Sequence, residues 1–352
     1  MFAPICRVPF LTEIEDANPM TLDQTALSTD QARMDYPAVE SVETATPLIV
    51  KQPQLRRATV IVFGNSKGGT GKSTAAMHVI VGLLRDGYRV GAIDLDAQQG
   101  TLTRYFDNRR IYAGQQALEL PQPLYRTVGH SELHDRRDAA AQESERLIRA
   151  LDALSACDFI VVDTPGANNH LSREGHFHAD ILITPLNDSF VDLDQLGRID
   201  PATHSLQSMG RYSDMVWEQN NRRLKHGKKS LEWIVMRNRV ASLDSCNGRN
   251  MDKALAHLSE NLGLRLVAGF SERVIFRELF LNGLTLLDIR DEEIDVTLTM
   301  SHVAALQEVR SLLQEISIGR MLEAEVETST GVSDSPVPDE TMTATVDALS
   351  AA

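Results

Sequence analysis

The sequence predicts an α/β fold, a doubly wound, mostly parallel sheet with helices on both faces, and three observations carry that reading. Six short apolar, β-branched runs alternate with stretches of helical period between residues 58 and 318. The runs stay apolar along their length, as strands buried on both faces do. A glycine-rich loop joins the first run to the first helical stretch, and open sheets of this kind bind ligands at the carboxyl ends of their strands.

Taken in order, strands are predicted at 58–64, 89–95, 158–163, 180–184, 231–237 and 264–269. Helices are predicted at 72–87, 142–155, 192–223, 250–262, 271–282 and 301–317. The flanks differ in kind. Residues 1–57 are rich in Thr, Asp, Glu and Gln and carry Pro4, Pro9, Pro19, Pro37, Pro47 and Pro53, which reads as a disordered N-terminal extension. Residues 319–352 read as a disordered acidic C-terminal tail with seven acids and one base.

The 352 residues carry a net charge of −14, which argues against constitutive coating of nucleic acid or anionic membrane. The extension holds −3 and the tail −6, leaving −5 on residues 58–318. Within that acidic stretch, Arg211, Arg222, Arg223, Lys225, Lys228, Lys229, Arg237 and Arg239 face only Asp214, Glu218 and Glu232, a local +5. Two readings stay open for this segment, a solvated helix end or a contact with nucleic-acid phosphates. No run of about 18 apolar residues predicts a transmembrane helix, and the start lacks a secretory pattern. Cys6, Cys157 and Cys246 are too scattered for a disulfide framework or a zinc site, which predicts a cytoplasmic protein. His130, His134, His170, His176 and His178 have the spacing of loop and helix surfaces rather than of a metal centre.

The strongest signal is Gly64-Asn65-Ser66-Lys67-Gly68-Gly69-Thr70-Gly71-Lys72-Ser73-Thr74, directly after the first strand. Successive glycines let backbone N–H groups turn inward around phosphate oxygens, and the helix that follows adds the positive end of its dipole. Lys72 would reach the β- and γ-phosphates, and the Ser73 hydroxyl would bind Mg²⁺. Gly68, Gly69, Thr70, Gly71 and Thr74 complete the cradle. Ser66 replaces the first glycine of the strict phosphate-loop pattern, and a second lysine, Lys67, precedes the glycines.

That extra lysine makes the segment resemble the deviant Walker A motif of the ParA/MinD ATPases, a branch of the P-loop NTPases. The resemblance implies an ATP-sandwiched homodimer in which Lys67 contacts the partner's nucleotide. The strand ending Asp94-Leu95-Asp96 is similar to the family's first switch, so that Asp96 would orient the attacking water and Asp94 would help hold the Mg²⁺ shell. Asp163 closes an apolar strand, where an acid is costly unless it is paired or near a metal. It fits the family's Walker B aspartate, and Gly166 in Thr164-Pro165-Gly166 fits the second switch, whose N–H senses the γ-phosphate. Asn238 occupies the place of an adenine-contacting asparagine, although a loop role reads almost as well.

Within the family, the strings 93–96, 104–110, 184–194 and 273–280 are similar to the MipZ branch over residues 58–318. That resemblance implies a slow, Mg²⁺-dependent ATPase that positions the division site by inhibiting FtsZ, with ParB and nonspecific DNA as further partners and a nucleoid-associated or polar gradient. A ParA-type partition ATPase and a P-loop metabolic enzyme of the dethiobiotin-synthetase type are the alternatives. The last helical stretch has mixed charge and lacks the basic face of a membrane-binding helix, so no membrane partner is expected.

Overall fold

The run Thr59–Phe63 forms β1, the central strand of a seven-stranded sheet. A computed structural model of the chain describes residues 57–200, 203, 205–240, 246–289 and 299–330. Its elements run β1, α1 (Lys72–Arg85), β2 (Val90–Asp94), α2 (Thr101–Gln116), β3 (Leu124–Thr127), α3 (Arg136–Ala153), β4 (Phe159–Asp163), α4 (His170–His178) and β5 (Ile181–Asn187). There follow α5 (Phe190–Leu193), β6 (Gly197–Ile199), β7 (Leu206–Met209), α6 (Arg211–Lys225), β8 (Glu232–Val240), α7 (Cys246–Leu262), β9 (Arg265–Ser271), α8 (Ile275–Glu278) and α9 (Met300–Thr330).

The sheet order is β3-β2-β4-β1-β5-β8-β9, and every neighbouring pair is parallel. Alternate residues of β1 feed opposite cores, as the strand period requires. Ile61 and Phe63 pack with α1, α2 and α9, whereas Val60 and Val62 pack with α3, α4, α6 and α7. The two apolar layers produce the doubly wound α/β fold that the alternation of runs predicts. The register brings Phe63, Asp94 and Asp163 side by side at the carboxyl ends of three adjacent strands, where the glycine-rich loop also sits.

All six predicted strands are present, and the differences lie elsewhere. The helix predicted over 192–223 is α5, a two-stranded antiparallel hairpin of β6 and β7, and then α6. Gly197 and Gly210 mark the breaks: a side chain at Gly197 would approach Leu258 Cδ2 to 2.8 Å, and Gly210 precedes the first turn of α6. α2 is mostly polar and buries only Leu102, Tyr105, Phe106 and Arg109, which is too thin a stripe to read as a helix. α4 contains Gly175, where a side chain would meet Thr164 and Leu95. β3 is a short, largely exposed edge strand. The predicted helix at 271–282 is α8 followed by a 3-10 turn over Leu279–Asn282.

α9 continues past Ile318 to Thr330, so residues 319–330, predicted as part of the tail, are helical. The predicted disorder of 1–56 and 331–352 lies outside the described residues. Among the described residues, no helix is long and apolar enough to cross a membrane.

Candidate functional site

The loop between β1 and α1 is shaped by its own side chains before any ligand is considered. The Asn65 amide donates to the Pro185 carbonyl at 2.8 Å, and its Oδ1 accepts the Lys67 N–H at 3.0 Å. Gly71, at φ 91°, then leads into α1. This is a left-handed conformation that glycine adopts without strain. A side chain there would collide with the amide of Asn238. No side chain caps α1, and its first turn carries no acid, which leaves the positive end of the helix facing a cleft.

That cleft has a volume of about 560 Å³ and is lined by Gly68, Gly69, Gly71, Lys72, Ser73, Thr74, Asp96, Gln98, Gln99, Thr101, His130, Thr164, Pro165, Gly166, Ala167, Asn169 and Arg239. Six of the seven loop and α1 residues predicted for a nucleotide therefore line one cavity together with Asp96 and Gly166. Lys67 and Asp163 stand beside it through their contacts with Lys72 and Ser73. Thr70 is fully buried and its hydroxyl has no partner.

Lys72 is buried, and its Nζ donates to the Lys67 carbonyl at 3.0 Å. Burial lowers its pKa, against the pull of Asp163 and Asp96. An ammonium held in this way gains from an arriving anion. Asp163 is the converse case. Burial pushes its carboxyl up to about 7, a hydrogen bond from Ser73 opposes the shift, and the neighbouring Asp94 adds to it. The Ser73 hydroxyl donates to Asp163 Oδ2 at 2.5 Å, while Asp163 Oδ1 is buried without a partner. A hydroxyl and a carboxylate with one orphaned oxygen, at the end of a phosphate-type loop, form a hard oxygen donor set that fits Mg²⁺.

Gly166, predicted for the second switch, has no room for a side chain. A side chain there would come within 2.8 Å of Gly68 Cα and N, so the two loops touch backbone to backbone.

Three predicted roles need correction or relocation. Asp94 does not face the loop with Asp96. It is fully buried, its Oδ1 accepts the Asp96 N–H at 2.9 Å, and its Oδ2 accepts the Thr103 N–H and hydroxyl at 3.0 and 2.7 Å. The polar first turn of α2 has captured it, so the carboxylate braces the backbone of the predicted first switch at Asp96 and sits outside the cavity lining. Asn238 is buried, and its amide donates to the Thr70 carbonyl at 2.7 Å rather than facing outward.

The eight bases of 211–239 do not form one patch. Arg223 is buried and bonded to the Phe177 carbonyl and Asp180, so it is unavailable to a phosphate. Arg222 pairs with Glu174 and lies 4.0 Å over the Phe177 ring, with Lys228 4.3 Å over the same ring. Arg237 pairs with Asp188 and Asp252. Arg211, Lys225 and Lys229 remain exposed. Arg239, at a left-handed φ of 54°, lines the cleft instead.

Four site residues escaped the sequence reading: His130, Asn169, Gln98 and Asp192. The cleft-lining His130 donates to Glu143, whereas Asp192 accepts from Lys67. Gln98 lies two residues beyond the predicted switch, so proximity is a usable signal for it. The others arrive from distant elements.

A family model described as "ATPase MipZ" matches residues 59–320. A septum site-determining protein MinD of Helicobacter pylori is 28% identical over 154 residues, which cover 40% of this chain and 58% of that protein. An iron-sulfur cluster carrier protein of Deinococcus radiodurans is 36% identical over 77 residues, 21% of this chain and 22% of that protein. The matched stretches thus span little more than half of the first relative and about a fifth of the second. Among solved structures, apo McdA of Cyanothece matches with a TM-score of 0.48 and 18% identity, covering 72% of this chain and 99% of that one.

Proposed function

Because this chain belongs to the MipZ ATPase family, we propose that it is a Mg²⁺-dependent ATP hydrolase that works as a switch in placing the division site. The observation that carries this reading is the pairing of Ser73 with Asp163 beside buried Lys72, a donor set that needs both a cation and an anion to be satisfied. Mg²⁺, when bound, neutralises phosphate charge and orients the phosphoryl group. Ser73 and Asp163 would hold it. Lys72 exchanges its bond to the Lys67 carbonyl for a phosphate oxygen, and the Gly68–Thr74 N–H groups cradle the rest. Asp96, at the mouth of the cleft, orients the attacking water, and Gly166 carries the loss of the terminal phosphate to the second switch. Asn238 holds the loop at Thr70 and offers its remaining edge to the base.

ATP joins two copies, with Lys67 of each reaching the other's nucleotide, and hydrolysis separates them. The two states differ in partner affinity. The partners proposed are FtsZ, ParB and nonspecific DNA, in the cytoplasm over the nucleoid. DNA contact falls to the exposed Arg211, Lys225 and Lys229 and grows when pairing doubles the number of phosphates reached.

The test is hydrolysis of ATP by the full chain with and without Mg²⁺, followed by FtsZ sedimentation with ATP or ADP. Mg²⁺-dependent turnover lost in Lys72→Ala, and FtsZ pelleting reduced only with ATP, support the reading. ATP turnover with no effect on FtsZ, but with ATP-dependent DNA binding, moves the protein to a partition role. A rate that appears only with a small-molecule acceptor moves it to a metabolic enzyme.

A further inference from the structure

We infer that His130 is a positioning residue that clamps the second switch from outside the nucleotide motifs; this deepens, and rests on, the ATPase reading above. His130 lies on the loop after β3 and forms part of the cleft wall. Its imidazole bridges two helices. Nδ1 lies 3.1 Å from Glu143 Oε1 on α3, and Nε2 lies 3.2 Å from Asn169 Nδ2 at the start of α4.

The protonation pattern follows from these partners. Asn169 Oδ1 caps α4 by accepting the Ser172 N–H at 2.9 Å, which fixes the orientation of the amide and leaves Nδ2 as a donor. Nε2 of His130 must therefore accept, so Nδ1 carries the proton and donates it to Glu143. Glu143 is buried and also accepts the Ser131 N–H at 2.9 Å, so the carboxylate is itself anchored. The same loop touches the first switch: a side chain at Gly129 would meet Ala97 at 3.4 Å, and Val128 N–H donates to the Asp94 carbonyl at 2.9 Å.

The chain from α3 thus ends on Asn169, three residues after Gly166, and Gly166 rests on the phosphate loop. With Nε2 occupied by an amide donor, His130 is not placed to take a proton from water. Its effect is to hold Asn169, the α4 cap and hence the Gly166 N–H in register with Gly68. Nothing in the local sequence signals this, because the residues come from the loop after β3, from α3 and from the cap of α4.

Two substitutions separate the two bonds. His130→Asn keeps a donor near the Nδ1 position for Glu143 and loses the acceptor for Asn169. His130→Gln places an acceptor near the Nε2 position and loses the Glu143 bond. In the full-length chain without nucleotide, amide hydrogen exchange at residues 170–173 should rise about five- to tenfold in His130→Asn and stay near wild type in His130→Gln. With Mg²⁺ and ATP, kcat should fall by a similar factor in His130→Asn, with ADP affinity unchanged, and recover in His130→Gln. Asn169→Asp keeps the cap and removes the donor. It should match His130→Asn and add nothing to it in the double variant.

Unchanged exchange in His130→Asn overturns the clamp, as does a kcat loss shared equally by His130→Gln or additive with Asn169→Asp. A wild-type chain that binds no nucleotide defeats the ATPase reading instead, and the exchange measurement still decides the clamp.

Discussion

Lys67 donates from Nζ to the Asp192 carboxylate, 125 residues away in the chain, and to the Val191 carbonyl at 3.3 Å. The lysine proposed to act across a dimer interface is therefore occupied within its own protomer. Asp192 is buried and its Oδ2 has no partner, whereas Lys67 is one-third exposed, so the pair is partly screened and worth about 1 kcal/mol. Two such pairs open for each dimer, about 2 kcal/mol, or roughly 30-fold in dissociation constant. Asp192→Asn should tighten ATP-dependent self-association by about tenfold or more in sedimentation velocity. Lys67→Ala should bind ATP and remain monomeric. An unchanged association constant for Asp192→Asn would show that the Lys67–Asp192 pair does not oppose dimerisation.

Asp163 gives the site a pH dependence of defined sign. Its carboxyl, pushed up to about 7 chiefly by burial, is largely protonated below that pH, and a divalent cation must displace the proton. Mg²⁺ affinity with ADP should rise about tenfold per unit as pH approaches 7 from below and level off above it. Calorimetry in buffers of different ionisation enthalpy should count close to one proton released per Mg²⁺ at pH 6. Asp163→Asn should abolish that release.

The legible part of the site lay in contiguous sequence. Residues 64–74 announce a phosphate loop because strand, glycines, lysine, hydroxyl and helix occur in the order in which they act, and Asp163 stands out as an acid closing an apolar run. The illegible part came from side chains whose partners are distant. Nothing in Asp94-Leu95-Asp96 says that Thr103 will capture the first carboxylate and leave the second in the cleft wall. The +5 count over 211–239 adds charges without registering that Arg223 points inward to Asp180 and Phe177 while Arg237 points to Asp188. The fold was legible wherever burial is two-sided, as in β1 and β4. It failed where elements bury little, as in α2 and β3, or where Gly197 and Gly210 interrupt what reads as one helix.

A second buried charge group holds α2 to the segment after the 3-10 turn. Arg109 and Asp288 are both fully buried, bonded through two contacts of 2.7 and 2.9 Å. Arg85 and the Thr285 N–H also donate to the carboxylate. Burial alone would raise the Asp288 pKa, but Arg109 and Arg85 hold it at about 2. Asp288→Ala strands the Arg109 guanidinium and should cost about 3–5 kcal/mol. The midpoint of urea unfolding should drop at unchanged slope. Arg109→Met combined with Asp288→Leu should recover much of the loss, since replacing a whole buried pair is far cheaper than halving it.

Acid lability should come from the opposite kind of group. His78 and His176 are fully buried, and burial lowers each from 6.5 to about 4. Both place Nδ1 on the carbonyl four residues earlier, Thr74 at 2.8 Å and Ser172 at 2.6 Å, so Nδ1 carries the proton. Both then meet a donor at Nε2, the Leu286 N–H at 3.4 Å and the Tyr212 hydroxyl at 2.9 Å. The Leu286 N–H cannot reverse its role, so protonating His78 sets two protons against each other. Since the unfolded chain binds protons at about 6.5 and the folded chain resists until about 4, stability falls as pH drops through that window. The two residues together are worth several kcal/mol at full effect. Asp163 works against them, because its folded form binds a proton up to about 7 and stability from that group rises as pH falls toward 4. His178 is lowered as well, to about 3, so thermal melting of the nucleotide-free chain should fall gently between pH 7 and 6, where Asp163 offsets part of the loss, and more steeply between pH 6 and 4. In Asp163→Asn the compensation disappears, and the decline should begin near pH 7.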